Sequence, residues 1–194
     1  GNNSGWAMTV TILITRPEPE ARRMAVEVQA LCDAVAVVIS PVMQIVYDGV
    51  LPEMSGGEVL IFTSRHGVEG FCRLSARRDF TCYAVGDATA EAAEAQGMRA
   101  ISAGGDAEAL LARIAAEGAH GPFVHLRGAH VAADIAGALR AAGHMARDAV
   151  VYDQVESALS AEAQALLLGN EPVILPLMSP RTARIVLGQA GPIT

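Results

Sequence analysis

The chain alternates short apolar runs with longer, alanine-rich amphipathic segments, and this alternation limits its possible folds more than any other feature. Apolar runs such as Thr9–Thr15 and Glu58–Thr63 have the length of buried strands. The segments that follow them run for about ten to fifteen residues with helical periodicity. Strands that alternate with helices of this length form βαβ units, whose strands pair in parallel. The pattern therefore predicts an α/β protein with parallel sheets.

Eight strands are predicted, which is too many for one small sheet. The five that begin near residues 58, 80, 98, 122 and 148 make a complete doubly wound unit, so the other three belong to a second sheet. The predicted strands are Thr9–Thr15, Ala34–Ile39, Glu58–Thr63, Phe80–Val85, Met98–Ser102, Pro122–Arg127, Asp148–Tyr152 and Pro172–Met178. The predicted helices are Pro17–Cys32, Arg65–Arg77, Ala88–Gln96, Asp106–Glu117, Val131–Ala142, Ser160–Leu168 and Pro180–Leu187.

This grouping predicts one domain inserted in the sequence of another. The outer domain is expected over residues 8–40 and 153–194, and the inserted domain over 53–150. Residues 41–52 and 151–155 are expected to be the connecting strands. Residues 1–7 precede Met8 and are expected to be foreign to the native chain.

Composition excludes several classes of function. All 14 positive charges are arginine, so a P-loop lysine, a Schiff-base lysine and a lysine general base are excluded. The net charge is −7 and the arginines are scattered, which argues against a nucleic-acid partner. No apolar run approaches the ~18 residues that a membrane span needs, and no secretion signal is recognisable.

Cysteine and histidine show no metal-binding pattern. Cys32, Cys72 and Cys82 are odd in number and form no CxxC pair, which is typical of reduced thiols in a cytoplasmic protein. The five histidines include no pair at helical spacing, so no zinc site is expected.

Four arginines lie at the ends of predicted strands: Arg16, Arg65, Arg127 and Arg181. In open α/β sheets the ligand binds outside the carboxyl ends of the strands. Arginines, hydroxyl groups and free helix amides at that edge favour an anionic ligand. Alternatively, the serine, threonine and glycine residues at these junctions act only as helix caps and turns.

Several short motifs in order along the chain resemble those of the uroporphyrinogen-III synthase family. They are Ile14–Pro17 (ITRP), Leu60–Val68 (LIFTSRHGV), Tyr83–Ala90 (YAVGDATA), Leu126–Gly128 (LRG), Val151–Tyr152 (VY) and Ser179–Ala183 (SPRTA). The resemblance implies two flavodoxin-like, doubly wound domains, the second inserted in the first and joined to it by a two-stranded β connector.

The resemblance also implies a cofactor-free lyase of tetrapyrrole and heme biosynthesis. Its substrate, hydroxymethylbilane, is a linear tetrapyrrole that carries eight carboxylates. The enzyme cyclises it to uroporphyrinogen III in the cleft between two domains, with loss of water and inversion of the terminal ring. The uncatalysed reaction closes without inversion to the type I isomer.

Matching motifs carry the family's roles onto this chain. Tyr152 matches the connector tyrosine that is the candidate acid for the departing hydroxyl; alternatively, it only packs between the two lobes. Arg16 is either a substrate contact or an ion-pair partner of Glu18 or Glu20. The expected substrate-binding residues are Arg16, Thr63, Ser64, Arg65, Thr89, Arg127, Ser179, Arg181 and Thr182.

The sequence ends before the family's last strand–helix units, which leaves the outer domain expected to be truncated with an open sheet edge. This feature favours one alternative, a non-catalytic protein of the same fold that binds a tetrapyrrole or another polyanion. A nucleotide-sugar transferase is a third hypothesis, but no G-x-G-x-x-G follows a strand. A monomer is expected unless an oligomer covers the open edge, and the preceding enzyme of the pathway is a candidate partner.

Overall fold

The computed structural model describes residues 9–190, which cluster into two compact units. One unit combines the residues up to Gln44 with those from Val155 onward, and the other is Ile45–Gln154. The predicted α/β class with parallel sheets is confirmed. The segment 1–7, expected to be foreign to the native chain, lies outside the described residues. In chain order the elements are β1 (Thr11–Ile14), α1 (Glu18–Leu31), β2 (Ala36–Ile39), β3 (Met43–Val46), β4 (Val59–Phe62), α2 (Arg65–Leu74), β5 (Thr81–Ala84), α3 (Asp87–Ala95), β6 (Arg99–Ser102), α4 (Ala107–Glu117), β7 (Phe123–Gly128), α5 (Ile135–Ala141), β8 (Ala146–Glu156), α6 (Ala161–Leu168), β9 (Val173–Ile174) and α7 (Pro180–Ala190).

The discontinuous unit contains a three-stranded sheet in the order β2–β1–β9. The central strand β1 pairs in parallel with both neighbours. Its side chain Leu13 packs with Ala163 of α6 and Val186 of α7, while Ile14 packs with Ala21 and Ala25 of α1. Successive residues of a strand point to opposite faces, so β1 buries both of its faces under helices.

The continuous unit is built on the sheet β3–β8–β7–β4–β5–β6, in which the strands from β8 to β6 are parallel. Phe62 of β4 packs with Phe71 of α2 on one face, and Ile61 packs with Leu110 of α4 on the other. Because these strands are parallel, the carboxyl ends of β4 and β7 lie side by side next to Tyr152, and β8 continues beyond them to Glu156.

Helix boundaries are set largely by capping residues. The side chains of Ser64, Asp106, Asp134 and Ser160 each accept a hydrogen bond from the backbone N–H three residues later. Gly118 ends α4 in the left-handed conformation, with φ of +62°. The caps predicted at Asp106, Gly118 and Ser160 are confirmed.

Several predicted elements differ from the structure. The strand predicted over Asp148–Tyr152 is longer, Ala146–Glu156. The helix predicted over Val131–Ala142 begins only at Ile135, because Asp134 is its N-cap. The helix predicted to reach Arg77 ends at Leu74, since Ser75 has extended backbone angles. The strand predicted over Pro172–Met178 is only Val173–Ile174, and Pro176 just beyond it has no N–H to extend the ladder.

Within residues 9–190, no helix combines the length and the apolar character needed to cross a membrane. The same residues contain no group of three or more histidine, cysteine, aspartate or glutamate side chains placed to hold a metal ion.

Candidate active site

The carboxyl edge of the larger sheet brings together four of the predicted site residues. Thr63 and Ser64 follow β4, Arg127 lies near the end of β7, and Tyr152 lies on β8. Strand order explains the proximity, because β7 separates β4 from β8. The adjacent residues Thr63 and Ser64 each begin a separate network of side-chain contacts.

The first network joins Ser64 to Tyr152. Ser64 Oγ lies 2.9 Å from the hydroxyl of Tyr152, and it also accepts a hydrogen bond from the N–H of Gly67 in the first turn of α2. Tyr152 is 8% exposed, and its ring lies against Gly128, where a Cβ atom would come within 2.7 Å of it. The absence of a side chain at Gly128 is therefore required for the position of Tyr152.

Two further aromatic side chains extend this first network. The ring of His66 lies 5.7 Å from that of Tyr152, and the hydroxyl of Tyr47 lies 3.2 Å from His66 Nδ1. The guanidinium of Arg73 stacks over the ring of Tyr47 at 4.2 Å. His66 and Tyr47 were not predicted as site residues, although His66 lies in the LIFTSRHGV motif and Tyr47 in the predicted connector.

The second network runs from Thr63 into the sheet. Thr63 Oγ1 lies 3.0 Å from Nε2 of His125, and His125 Nδ1 lies 3.6 Å from Oδ1 of Asp148. Arg127 Nε lies 3.1 Å from the same carboxylate oxygen. Strand register accounts for this order, since β7 pairs His125 with Ile61 of β4 and with Asp148 of β8.

His125 and Asp148 were also not predicted as site residues, although both lie in predicted strands. His125 is 1% exposed. Burial lowers the pKa of its imidazole to about 4; Asp148 opposes this shift and Arg127 reinforces it. The ring is therefore neutral near pH 7. One sequence signal was available, a histidine in the middle of an otherwise apolar strand.

The remaining predicted residues of this unit lie at two helix starts. Arg65 is the first residue of α2 and is partly exposed. Thr89 lies in the first turn of α3 and is 6% exposed, so most of its surface is covered. Arg127 forms an ion pair with Asp148, and its Nη1 donates a hydrogen bond to the carbonyl oxygen of Gly128 at 3.0 Å.

The other unit carries the predicted residues Arg16, Ser179, Arg181 and Thr182. Ser179 Oγ accepts a hydrogen bond from the N–H of Thr182 at the start of α7 and donates to its hydroxyl at 2.9 Å. Arg181 lines a cavity of about 550 Å³ together with Glu156 and Arg184. Arg16 follows β1 and is partly exposed; Glu18, one of its two predicted partners, is paired with Arg22 at 2.6 Å.

A family comparison identifies what the chain is similar to. The sequence model of the family described as "Uroporphyrinogen-III synthase HemD" matches residues 28–193. No curated protein matches the chain in sequence.

Two solved structures share its fold. The uroporphyrinogen-III synthetase of Helicobacter pylori superposes with a TM-score of 0.65 at 18% identity, over 94% of this chain and 78% of that one. A mutant uroporphyrinogen III synthase of the extremely thermophilic bacterium Thermus thermophilus gives a TM-score of 0.53 at 13% identity, over 93% of this chain and 77% of that one.

Proposed function

The chain belongs to the uroporphyrinogen-III synthase family, and on this premise we propose how its own residues carry out the family's reaction. That reaction is the cyclisation of hydroxymethylbilane to uroporphyrinogen III, with loss of water and inversion of the terminal pyrrole ring. The family match does not favour the alternative of a non-catalytic tetrapyrrole-binding protein.

The observation that carries the proposal is the hydrogen bond between Ser64 and Tyr152. Cyclisation begins when the substrate loses its hydroxyl group, which leaves more readily when an acid donates a proton to its oxygen. Ser64 Oγ already accepts from Gly67 N, so its own proton is available for the oxygen of Tyr152. In that arrangement the contact with Ser64 does not use the proton of Tyr152, which is then available to the departing hydroxyl. Tyr152 is therefore the proposed catalytic acid.

Substrate carboxylates are bound, in this proposal, by arginines and helix starts. In the continuous unit Arg65 adds a positive charge to the amino end of α2, where free backbone N–H groups already favour an anion. In the discontinuous unit Arg181 does the same at the start of α7. The proposed substrate-binding residues are Arg16, Thr63, Ser64, Arg65, Thr89, Arg127, Ser179, Arg181 and Thr182.

Positioning is the larger part of the proposed catalysis. The type I product forms without the enzyme, so the enzyme must hold the terminal ring such that its substituted carbon reacts first. Correct placement of reacting groups supplies up to about 7–11 kcal/mol of a barrier. The acid contributes a further factor of about 10²–10⁴ in rate.

The finer domain description remains part of the proposal. We place a doubly wound inserted domain at 53–150, an outer domain at 8–40 and 153–194, and connecting strands at 41–52 and 151–155. Support comes from the two compact units, whose division falls within β3 and β8.

A cytoplasmic location is supported by the cysteines, all three of which are free thiols.

One assay tests the function. The protein is incubated with freshly generated hydroxymethylbilane, the products are oxidised, and the type I and type III porphyrins are separated. We expect the type III fraction to rise far above that of an enzyme-free control. Tight binding of the substrate with type I as the only product would instead establish the non-catalytic alternative.

A further inference from the structure

We propose that the hydroxyl group of Thr63 accepts a hydrogen bond from a pyrrole N–H of the substrate, because His125 holds the hydroxyl's own proton. The inference rests on the proposed function and gives Thr63, one of the proposed substrate-binding residues, a pyrrole N–H as its ligand group instead of a carboxylate. In this scheme His125 is a positioning residue, since it acts on the substrate only through Thr63.

The first step is the position of the His125 ring. It lies between a hydroxyl and a carboxylate, with Nε2 at 3.0 Å from Thr63 Oγ1 and Nδ1 at 3.6 Å from Asp148 Oδ1. The ring is 1% exposed, and within residues 9–190 Nδ1 has no hydrogen-bond partner. In this one orientation of the ring, Nε2 faces Thr63 and Nδ1 faces Asp148.

The second step is the location of the ring's proton. A neutral imidazole carries one N–H and one lone pair. If the lone pair were on Nδ1, it would face the negative oxygen of Asp148 in a buried site, which is repulsive. The proton therefore belongs on Nδ1, where the carboxylate attracts it. The distance of 3.6 Å exceeds that of a hydrogen bond, so the attraction is electrostatic.

The charged groups around the ring are consistent with this arrangement. Arg127 Nε lies against the same oxygen of Asp148, and the two side chains form an ion pair. Asp134, the N-cap of α5, is a further carboxylate that acts on the ring. Burial keeps the pKa of His125 well below neutrality, so the ring does not take up a second proton under ordinary conditions.

The third step is the consequence for Thr63. With the proton on Nδ1, Nε2 offers only a lone pair, and Thr63 must donate its O–H to it. The oxygen of Thr63 then presents only lone pairs to a ligand. An ionised carboxylate, which also has only lone pairs, is rejected there. The donors of a linear tetrapyrrole are its pyrrole N–H groups and its terminal hydroxyl, and only these match.

Nuclear magnetic resonance on the full chain without ligand tests the tautomer. The ¹⁵N shifts and long-range ¹H couplings of the His125 ring are recorded near pH 7, with His125→Gln used for assignment. We expect a protonated Nδ1 and an unprotonated Nε2. A ring protonated on Nε2, or on both nitrogens, would overturn the proposal whatever the activity of the protein.

Binding measurements test the ligand group. The probe is methylbilane, a stable analogue in which a methyl group replaces the hydroxymethyl group, together with its four mono-N-methyl derivatives. Thr63→Val is expected to weaken the binding of methylbilane by about three- to tenfold, the usual effect of one hydrogen bond. For one of the four derivatives Thr63→Val should have no effect, because the N–H that Thr63 recognises is gone.

Two matched variants separate recognition from loss of structure. Thr63→Ser keeps the hydroxyl and should bind methylbilane like the wild type. Thr81→Val makes the same change at a partly exposed position of β5, outside the site, and should leave the dissociation constant unchanged. The proposal is wrong if Thr63→Val binds methylbilane normally, or if its defect persists with all four derivatives. The proposed function is judged separately, by type III product from the wild type.

Discussion

The hydroxyl of Tyr152 on β8 and the Oγ atom of Ser64, 88 residues earlier in the chain, lie 2.9 Å apart. The same Ser64 oxygen accepts the N–H of Gly67 and so caps α2. One atom therefore contributes both to helix stability and to the position of the proposed acid. Substitutions at these two residues are expected to separate the two contributions.

Tyr152→Phe removes the proposed acid while keeping the aromatic ring. We expect the rate of type III formation to fall by about 10²-fold or more, with little change in the affinity for methylbilane. Tyr83→Phe is the matched control, because Tyr83 is also buried in this sheet but its hydroxyl bonds to Glu117. Unchanged type III turnover in Tyr152→Phe would eliminate this residue as the acid.

Ser64→Ala should lower both stability and activity. Loss of the cap is expected to reduce the free energy of unfolding by about 1 kcal/mol, and loss of the contact to Tyr152 to reduce type III turnover by about three- to tenfold. Ser160→Ala removes an equivalent serine cap, from α6, with no tyrosine attached. Urea unfolding and the product assay on both variants should show similar destabilisation but a turnover defect only in Ser64→Ala.

Glu58 should make stability depend on pH in the acid range. Burial alone would raise the pKa of this carboxyl, but hydrogen bonds from the N–H groups of Ser55 and Gly56 lower it to about 2. Its contribution is therefore complete above about pH 4.5 and is lost as the pH falls towards 2.

Glu58→Gln removes this contribution and is expected to cost about 2 kcal/mol at pH 7, the scale of a charge-assisted hydrogen bond. The difference from the wild type in urea unfolding should shrink between pH 4.5 and the lowest pH that can be measured. Glu53→Gln, at an exposed position nearby, is the control. A difference that stays constant with pH would contradict the assignment.

His125→Gln should remove a different pH dependence. The pKa of this histidine falls from 6.5 to about 4 in the folded chain, so between these values the unfolded chain binds a proton that the folded chain does not. Wild-type stability should therefore decrease as the pH falls through that range, by about 3 kcal/mol in all. The variant should lack this slope, whereas His130→Gln, whose side chain is exposed, should keep it.

Gly70→Ala should destabilise the larger sheet. A Cβ at this position of α2 would lie 2.6 Å from the carbonyl oxygen of Val151, so the helix would have to move off β8. We expect a cost of about 1–3 kcal/mol in thermal or urea unfolding. Gly188→Ala on α7 meets nothing within 4 Å and should be neutral or stabilise by up to about 1 kcal/mol. Equal effects of the two substitutions would be inconsistent with this packing.

Much of the secondary structure could be predicted because its signals are local. The caps at Asp106 and Ser160 and the glycine that ends α4 were recognisable because each acts on residues three or four positions away. The length of β9 was not, because a strand continues only as far as its own backbone can pair with its neighbour, here β1, which runs on to Ile14. Pro176 ends that ladder although the apolar run continues beyond it.

The sequence by itself determined the α/β class, most of the helix starts and the motifs that place Thr63 and Ser64 just after a strand and Tyr152 within one. Only the tertiary structure decided that Ser64 contacts Tyr152 and that Thr63 contacts His125. It also decided that Asp148, paired with Arg127, lies on the other side of the His125 ring. Periodicity and capping act between residues a few positions apart, so they can be recognised along the chain. The order and register of β4, β7 and β8 depend on packing between distant segments, and these set the partner of each polar side chain.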